Sequence, residues 1–108
     1  MGYIMVFITT PTQENAEKIS SMLVEEKLAA CVSVVGEAKS TFYWEGKIEK
    51  EKEYLLIIKT KDNLFNKILE MIKKIHPYKV PEILALNISQ GNPDYLKWVE
   101  ETVKKEEG

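Results

Sequence analysis

Three segments of the chain are apolar without alternation: Tyr3 to Ile8, Tyr54 to Ile58, and Ile83 to Leu86. A strand with one wet face shows period-two alternation, whereas an unbroken apolar and β-branched run needs cover on both faces. Around these segments the order of elements is readable. Pro11 stops the first strand, and Thr10-Pro11 reads as N-cap and first residue of a helix with Glu14 and Glu17 in its opening turns. Ala16, Ile19, Ser20 and Leu23 make its inner stripe, and it runs to about Lys27.

Ala29 to Val35 is the next strand, broken or bulged at Gly36 and continued from Lys39 to Trp44. Glu45-Gly46 turns the chain, and Ile48 to Lys61 returns antiparallel. Asp62 caps a second helix with Leu64, Phe65, Ile68, Met71, Ile72 and Ile75 inward, which His76-Pro77 ends. Glu82 to Ser89 is a fourth strand. Asn92-Pro93-Asp94 opens a last helix whose inner face is Tyr95, Trp98, Val99, Thr102 and Val103. The order βαββαβα predicts an α+β, ferredoxin-like split βαβ motif with an extra C-terminal helix.

In that fold both main helices cover one sheet face, yet three strands are apolar on both. The chain has 108 residues, enough for one domain spanning 1–108 but short of material for a second cover. The expectation is a homo-oligomer, with strands long enough to offer edges for pairing between copies.

Charge and composition narrow the function. The chain carries 15 Lys and no Arg against 17 acids, for a formal charge of −2. Nothing in that balance draws it to a phosphate backbone, and no planar guanidinium is present to read bases, so nucleic acid is not an expected partner. One Cys forms no internal disulfide and no Cys-x-x-Cys motif. The apolar run at the N-terminus is too short for a signal or membrane segment, and the cytoplasm is the expected location. Abundant Lys and Glu also match the compositional bias of thermostable proteins.

The candidate site residues have plain readings beside functional ones. Cys31, between Ala30 and Val32 on a strand, reads first as a small core residue and second as a soft metal ligand. His76 reads as a helix-terminal group satisfying carbonyls or as a metal contact, with Tyr78 and Glu82 near it in sequence. Phe42, Tyr43 and Trp44 near the hairpin tip fit an interface between copies. The Lys and Glu residues from 47 to 53 read as a solvated face. No phosphate loop accompanies Lys59-Thr60-Lys61, and no Ser/His/Asp constellation is suggested. The chain is expected to be no enzyme and to carry no organic cofactor.

Thr10-Pro11, Leu28-Ala29-Ala30-Cys31-Val32, Ser40 with Trp44 and Gly46, Glu53, Lys59-Thr60, His76-Pro77-Tyr78 with Val80-Pro81-Glu82, and Tyr95-Leu96-Lys97-Trp98 run in order across the chain. Together they resemble the CutA family of divalent-cation tolerance proteins. The resemblance implies a homotrimer with sheets built between chains, binding of Cu(II) or another divalent cation, and a part in metal tolerance. Two departures stand out: Phe42 replaces a common Tyr, and Ile75 precedes His76, so no His-His pair exists.

The candidate metal ligands are therefore His76, Cys31 and Glu82, whose imidazole and thiolate favour copper. An alternative is a sensor that binds a small molecule in clefts between subunits, by analogy with the trimeric PII proteins that share this fold. It would use Trp44, Lys59, Tyr78 and Trp98 along with Glu82. A non-catalytic trimeric scaffold is the third.

Overall fold

The computed structural model describes residues 2–105 of the chain. Its elements are β1 (Tyr3–Thr10), α1 (Gln13–Glu25), β2 (Cys31–Trp44), β3 (Lys47–Lys61), α2 (Phe65–Ile75), β4 (Ile83–Asn87) and α3 (Pro93–Thr102). The strands form one sheet in the order β2-β3-β1-β4, every neighbouring pair antiparallel. That is the α+β, ferredoxin-like arrangement the element order predicts.

The register sorts the side chains by face. Ile4, Val6 and Ile8 of β1 lie opposite Thr60, Ile58 and Leu56 of β3, and all six are buried. The five apolar ones form the core with Ala16, Ile19 and Leu23 of α1 and Ile68 and Ile72 of α2. Each buried Val, Leu or Ile side chain contributes about 1.5–3 kcal/mol by leaving water. At the sheet's end Thr60 Oγ1 donates to the Leu28 carbonyl at 2.6 Å, which satisfies a buried hydroxyl.

The alternate residues, Tyr3, Met5 and Phe7 with Ile57 and Leu55, look out of the opposite face. At one end of it α3 is tied to the sheet: Tyr3 Oη and Lys61 Nζ each donate to Glu100 at 2.9 Å, and Val99 and Val103 are buried. On β4 the same face leaves Leu84 57% and Leu86 49% exposed. The second apolar face thus exists and is only partly covered within one chain.

Several boundaries differ from the sequence expectation, each for a local reason. Helix α1 is capped by Thr12, not Thr10, since Thr12 Oγ1 accepts from the Asn15 amide at 3.0 Å while Thr10 is buried as the last residue of β1. The helix stops at Glu25, and Lys27 takes a positive φ of 57° that reverses the chain. Asp62 caps no α-helix. It opens a 3-10 turn, Asp62–Leu64, and its carboxylate accepts from the Gly2 amide at 2.9 Å. Strand β4 is shorter than Glu82 to Ser89, ending at Asn87. On α3, Tyr95 and Trp98 are 40% and 44% exposed, so Val99, with Val103 just past the helix end, makes its buried face. The Asn92 cap and Pro93 start are as expected, with Asn92 Oδ1 accepting from the Asp94 amide.

β2 and β3 outrun the rest of the sheet. β1 last pairs with β3 at Thr10 opposite Tyr54, so residues 38–44 and 47–53 pair only with each other. They make a two-stranded arm of about 23 Å at ~3.3 Å per residue. The register shifts between Val35 and Ala38, where the arm leaves the sheet. Its tip is a two-residue turn, Glu45-Gly46, with φ of 50° and 78°, the positive values that suit the strand twist.

Candidate functional site

Helix α2 ends at Ile75 because the residue before Pro77 is disfavoured in helical conformation, and His76 is extended at φ −75° and ψ 136°. This change of direction carries the His76 ring to the end of β1. There Nε2 lies 2.7 Å from the Thr9 carbonyl, and Nδ1 accepts from the Tyr78 amide at 3.0 Å. An amide donates only to a lone pair, so the proton sits on Nε2 and is donated to Thr9. The ring is buried and both its nitrogens are engaged by backbone.

The Tyr78 ring lies beside the His76 ring, centroids 5.0 Å apart, and its hydroxyl donates to Glu53 Oε2 at 3.0 Å. Burial first, then the bond to Glu53, pushes the Tyr78 phenol up to about 12. It therefore remains a donor over the physiological range. Glu53 itself is only 6% exposed, and its other oxygen, Oε1, receives no side-chain hydrogen bond from the described residues. One chain of contacts thus links β1, the loop after α2 and the root of the arm.

Strand parity builds the rest of the site. Glu53, Glu51 and Glu49 on β3 stand opposite Ala38, Ser40 and Phe42 on β2, and therefore share one face of the arm; Trp44, two residues beyond Phe42, continues it. Lys50 and Lys52 fall on the other face, opposite Thr41 and Lys39. Between the acidic face and the loop from Pro77 to Glu82 lies a cleft of about 970 Å³. Its walls include Trp44, Phe42, Glu49, Glu51, Glu53, Tyr78 and Glu82, with Lys79 as their only cation.

Of the residues singled out in the sequence, Trp44, Tyr78 and Glu82 line this cleft, and His76 sits behind it, between Thr9 and Tyr78. Cys31, Lys59 and Trp98 do not join them. Cys31 pairs with Lys59, which lies opposite Met5, and Thr9 is four residues further along β1, about 13 Å at the usual strand rise. Lys59 Nζ donates to Ser33 Oγ at 3.0 Å, and the Trp98 ring lies 5.5 Å from that of Tyr95. Burial, with Cys31 as neighbour, raises the Tyr95 phenol. Among the described residues no group of three or more His, Cys, Asp or Glu is placed to hold a metal ion. Phe42 lies in the cleft without the hydroxyl a Tyr would bring.

Glu49 and Glu51 were not singled out. The signal for them was the two-residue spacing Glu49, Glu51, Glu53, interleaved with Lys50 and Lys52, which on a strand separates the acids from the lysines.

Residues 4–102 match the family described as CutA1 divalent ion tolerance protein. The divalent-cation tolerance protein CutA of Thermus thermophilus is 46% identical over 97 residues, 90% of this chain and 94% of that one. Its counterpart in Pyrococcus horikoshii is 43% identical over 94% of this chain and 99% of its own length. The chain spans less of some relatives, 58% of the chloroplastic Protein CutA 1 of Oryza sativa. The crystal structure of CutA1 from Oryza sativa superposes with a TM-score of 0.95 at 39% identity, covering 98% of this chain and 97% of that one. The structure from Thermus thermophilus gives 0.92 at 44% identity, over 94% and 99%. Sequence match along nearly the whole chain and agreement in fold lead to one assignment: the chain belongs to the CutA1 divalent ion tolerance protein family.

Proposed function

We propose that the protein is a non-catalytic homotrimer that binds a divalent cation, copper(II) foremost, and acts in metal-ion tolerance in the cytoplasm, as one domain over residues 1–108. The observation that carries the reading is the cleft with four carboxylates, from Glu49, Glu51, Glu53 and Glu82, against the single ammonium of Lys79. Carboxylate oxygens suit divalent cations, and their shared negative potential raises the local cation concentration. The names of the relatives from Thermus and Pyrococcus point the same way.

The donors do not form a complete set within one chain, since among the described residues no three gather and both nitrogens of His76 are already bonded. The reading therefore places Glu82 in contact with the ion and completes the site with groups of a neighbouring copy. Cys31 and His76 are the soft donors to test. The partly covered second face and the arm that pairs with nothing else in its own chain support association of copies.

Calorimetry with Cu(II), alongside native mass spectrometry, tests this. Saturable binding with a defined ion count per trimer is expected, weakened by Glu82→Gln and by Cys31→Ser. Unchanged binding in Glu82→Gln removes the cleft from the metal site, and a monomeric mass removes the trimer.

A second reading, that the cleft holds a small molecule sensed between subunits, is favoured by its size. A volume of about 970 Å³ walled by Trp44, Phe42 and Tyr78 far exceeds what an ion occupies. In that reading Trp44, Tyr78 and Glu82 line the ligand site, while Lys59 and Trp98 lie away from it.

A further inference from the structure

The chemistry of the cleft walls selects among small molecules. With Glu49, Glu51, Glu53 and Glu82 against Lys79, an anionic ligand would enter a field of its own sign. Glu53 contributes most sharply. It is more than nine-tenths buried, its Oε2 is occupied by the Tyr78 hydroxyl, and Oε1 receives no side-chain donor among the described residues. A buried carboxylate that lines a cavity with one oxygen lacking a donor calls for a positively charged donor or a water.

The aromatic groups decide what kind of cation. Phe42 stands directly across from Glu49 on the arm, Trp44 follows two residues on, and Tyr78 closes the opposite side through its bond to Glu53. Ring faces attract a desolvated organic ammonium and pack against its methylenes or methyl groups. A strongly hydrated divalent ion gains little from them, and among the described residues no three His, Cys, Asp or Glu side chains gather to replace its water shell.

Resting on the second reading above, that the cleft is a small-molecule site, we propose that its ligand is an organic cation of metabolite size. The ammonium end meets Glu51 and Glu53, and the apolar body lies along Phe42, Trp44 and Tyr78.

The test uses the full chain at physiological salt, with calorimetry and tryptophan fluorescence as readouts. Choline and spermidine are the cationic probes, 3,3-dimethylbutan-1-ol is the uncharged counterpart of choline, and glutamate and AMP are the anionic probes. Saturable binding of at least one cation is expected, with the neutral alcohol at least tenfold weaker than choline where choline binds. Trp44→Leu and Glu51→Gln should each weaken the cation about tenfold. Both residues are exposed on the arm, so the variants keep the fold, which circular dichroism checks.

The proposal is overturned if the alcohol matches choline, if the two variants bind the cation like wild type, or if equal charge as MgCl₂ displaces spermidine completely. Should glutamate or AMP saturate the protein and lose affinity in Trp44→Leu while neither cation binds, the cleft remains a ligand site and its cation selectivity falls. Absence of binding by all five probes overturns both.

Discussion

Tyr78 joins two polar contacts that differ in kind. Its amide fixes the tautomer of His76, and its hydroxyl supplies a donor to the buried Glu53. Tyr78→Phe leaves the amide contact in place and orphans the carboxylate, so a loss of about 1–3 kcal/mol is expected in urea unfolding. The pH dependence has a defined sign. With the folded phenol raised to about 12 from the usual 10.0, its contribution is intact below pH 10 and is lost as pH climbs through 12; Tyr78→Phe should flatten that part of the stability curve. Glu100 behaves oppositely, because the hydrogen bonds from Lys61 and then Tyr3 hold its carboxyl below the usual carboxylate range. Its contribution is present above the unfolded value and fades as pH falls through the folded one, so Glu100→Gln should remove the acid-side dependence of α3 docking, read from Trp98 fluorescence. At this scale the sequence was a partial guide. Trp44, Tyr78 and Glu82, which the sequence suggests for a cleft between subunits, line a cleft within one chain. Glu49 and Glu51 were passed over as solvated charge, since nothing local says which strand face a loop will later roof.

The elements were legible wherever periodicity and proline or glycine punctuation agreed. All four strands and three helices stand where apolar runs, Pro77, the Glu45-Gly46 turn and Asn92-Pro93 put them. The misplaced starts share one cause: Thr10 and Asp62 are good capping residues by type, but a buried strand end and a bond to the Gly2 amide claimed them. Two backbone positions give sharp tests. Lys27 holds a left-handed conformation after α1, and Lys27→Gly should raise stability by about 1 kcal/mol in thermal unfolding. Gly36, at the shift of register where the arm departs, has the Tyr54 ring where a Cβ would go. Gly36→Ala must displace that ring or the strand, with an expected cost of about 1–3 kcal/mol. The accompanying readout is a change in near-ultraviolet circular dichroism from the aromatic residues of the arm.

As a whole the molecule is drawn out, 44 × 27 × 23 Å with a radius of gyration of 14.5 Å, against roughly 13 Å for a compact chain of this length. The excess is the arm, and an isolated two-stranded ribbon is marginal in water. Tyr43 at 76% and Ile48 at 61% exposure, with Leu84 and Leu86 on the sheet, are the surface that association would cover. Light scattering at micromolar concentration is expected to give three times the chain mass, and Leu84→Lys with Leu86→Lys should shift it toward one. The non-alternating strands announced a second apolar face, which one chain covers only in part, but what would cover the remainder is not encoded in any single strand pattern. The strand order has a separate bearing on biosynthesis. β1 is made first yet lies between β3 and β4, so its second edge waits for a partner about 80 residues later. At ~5–20 residues per second that is roughly 4–16 s on the ribosome with an apolar edge bare. The β2–β3 hairpin closes in about 1–10 μs once synthesised, but β3 ends only at Lys61, so both edges of β1 stay bare through most of that interval and the second edge longest.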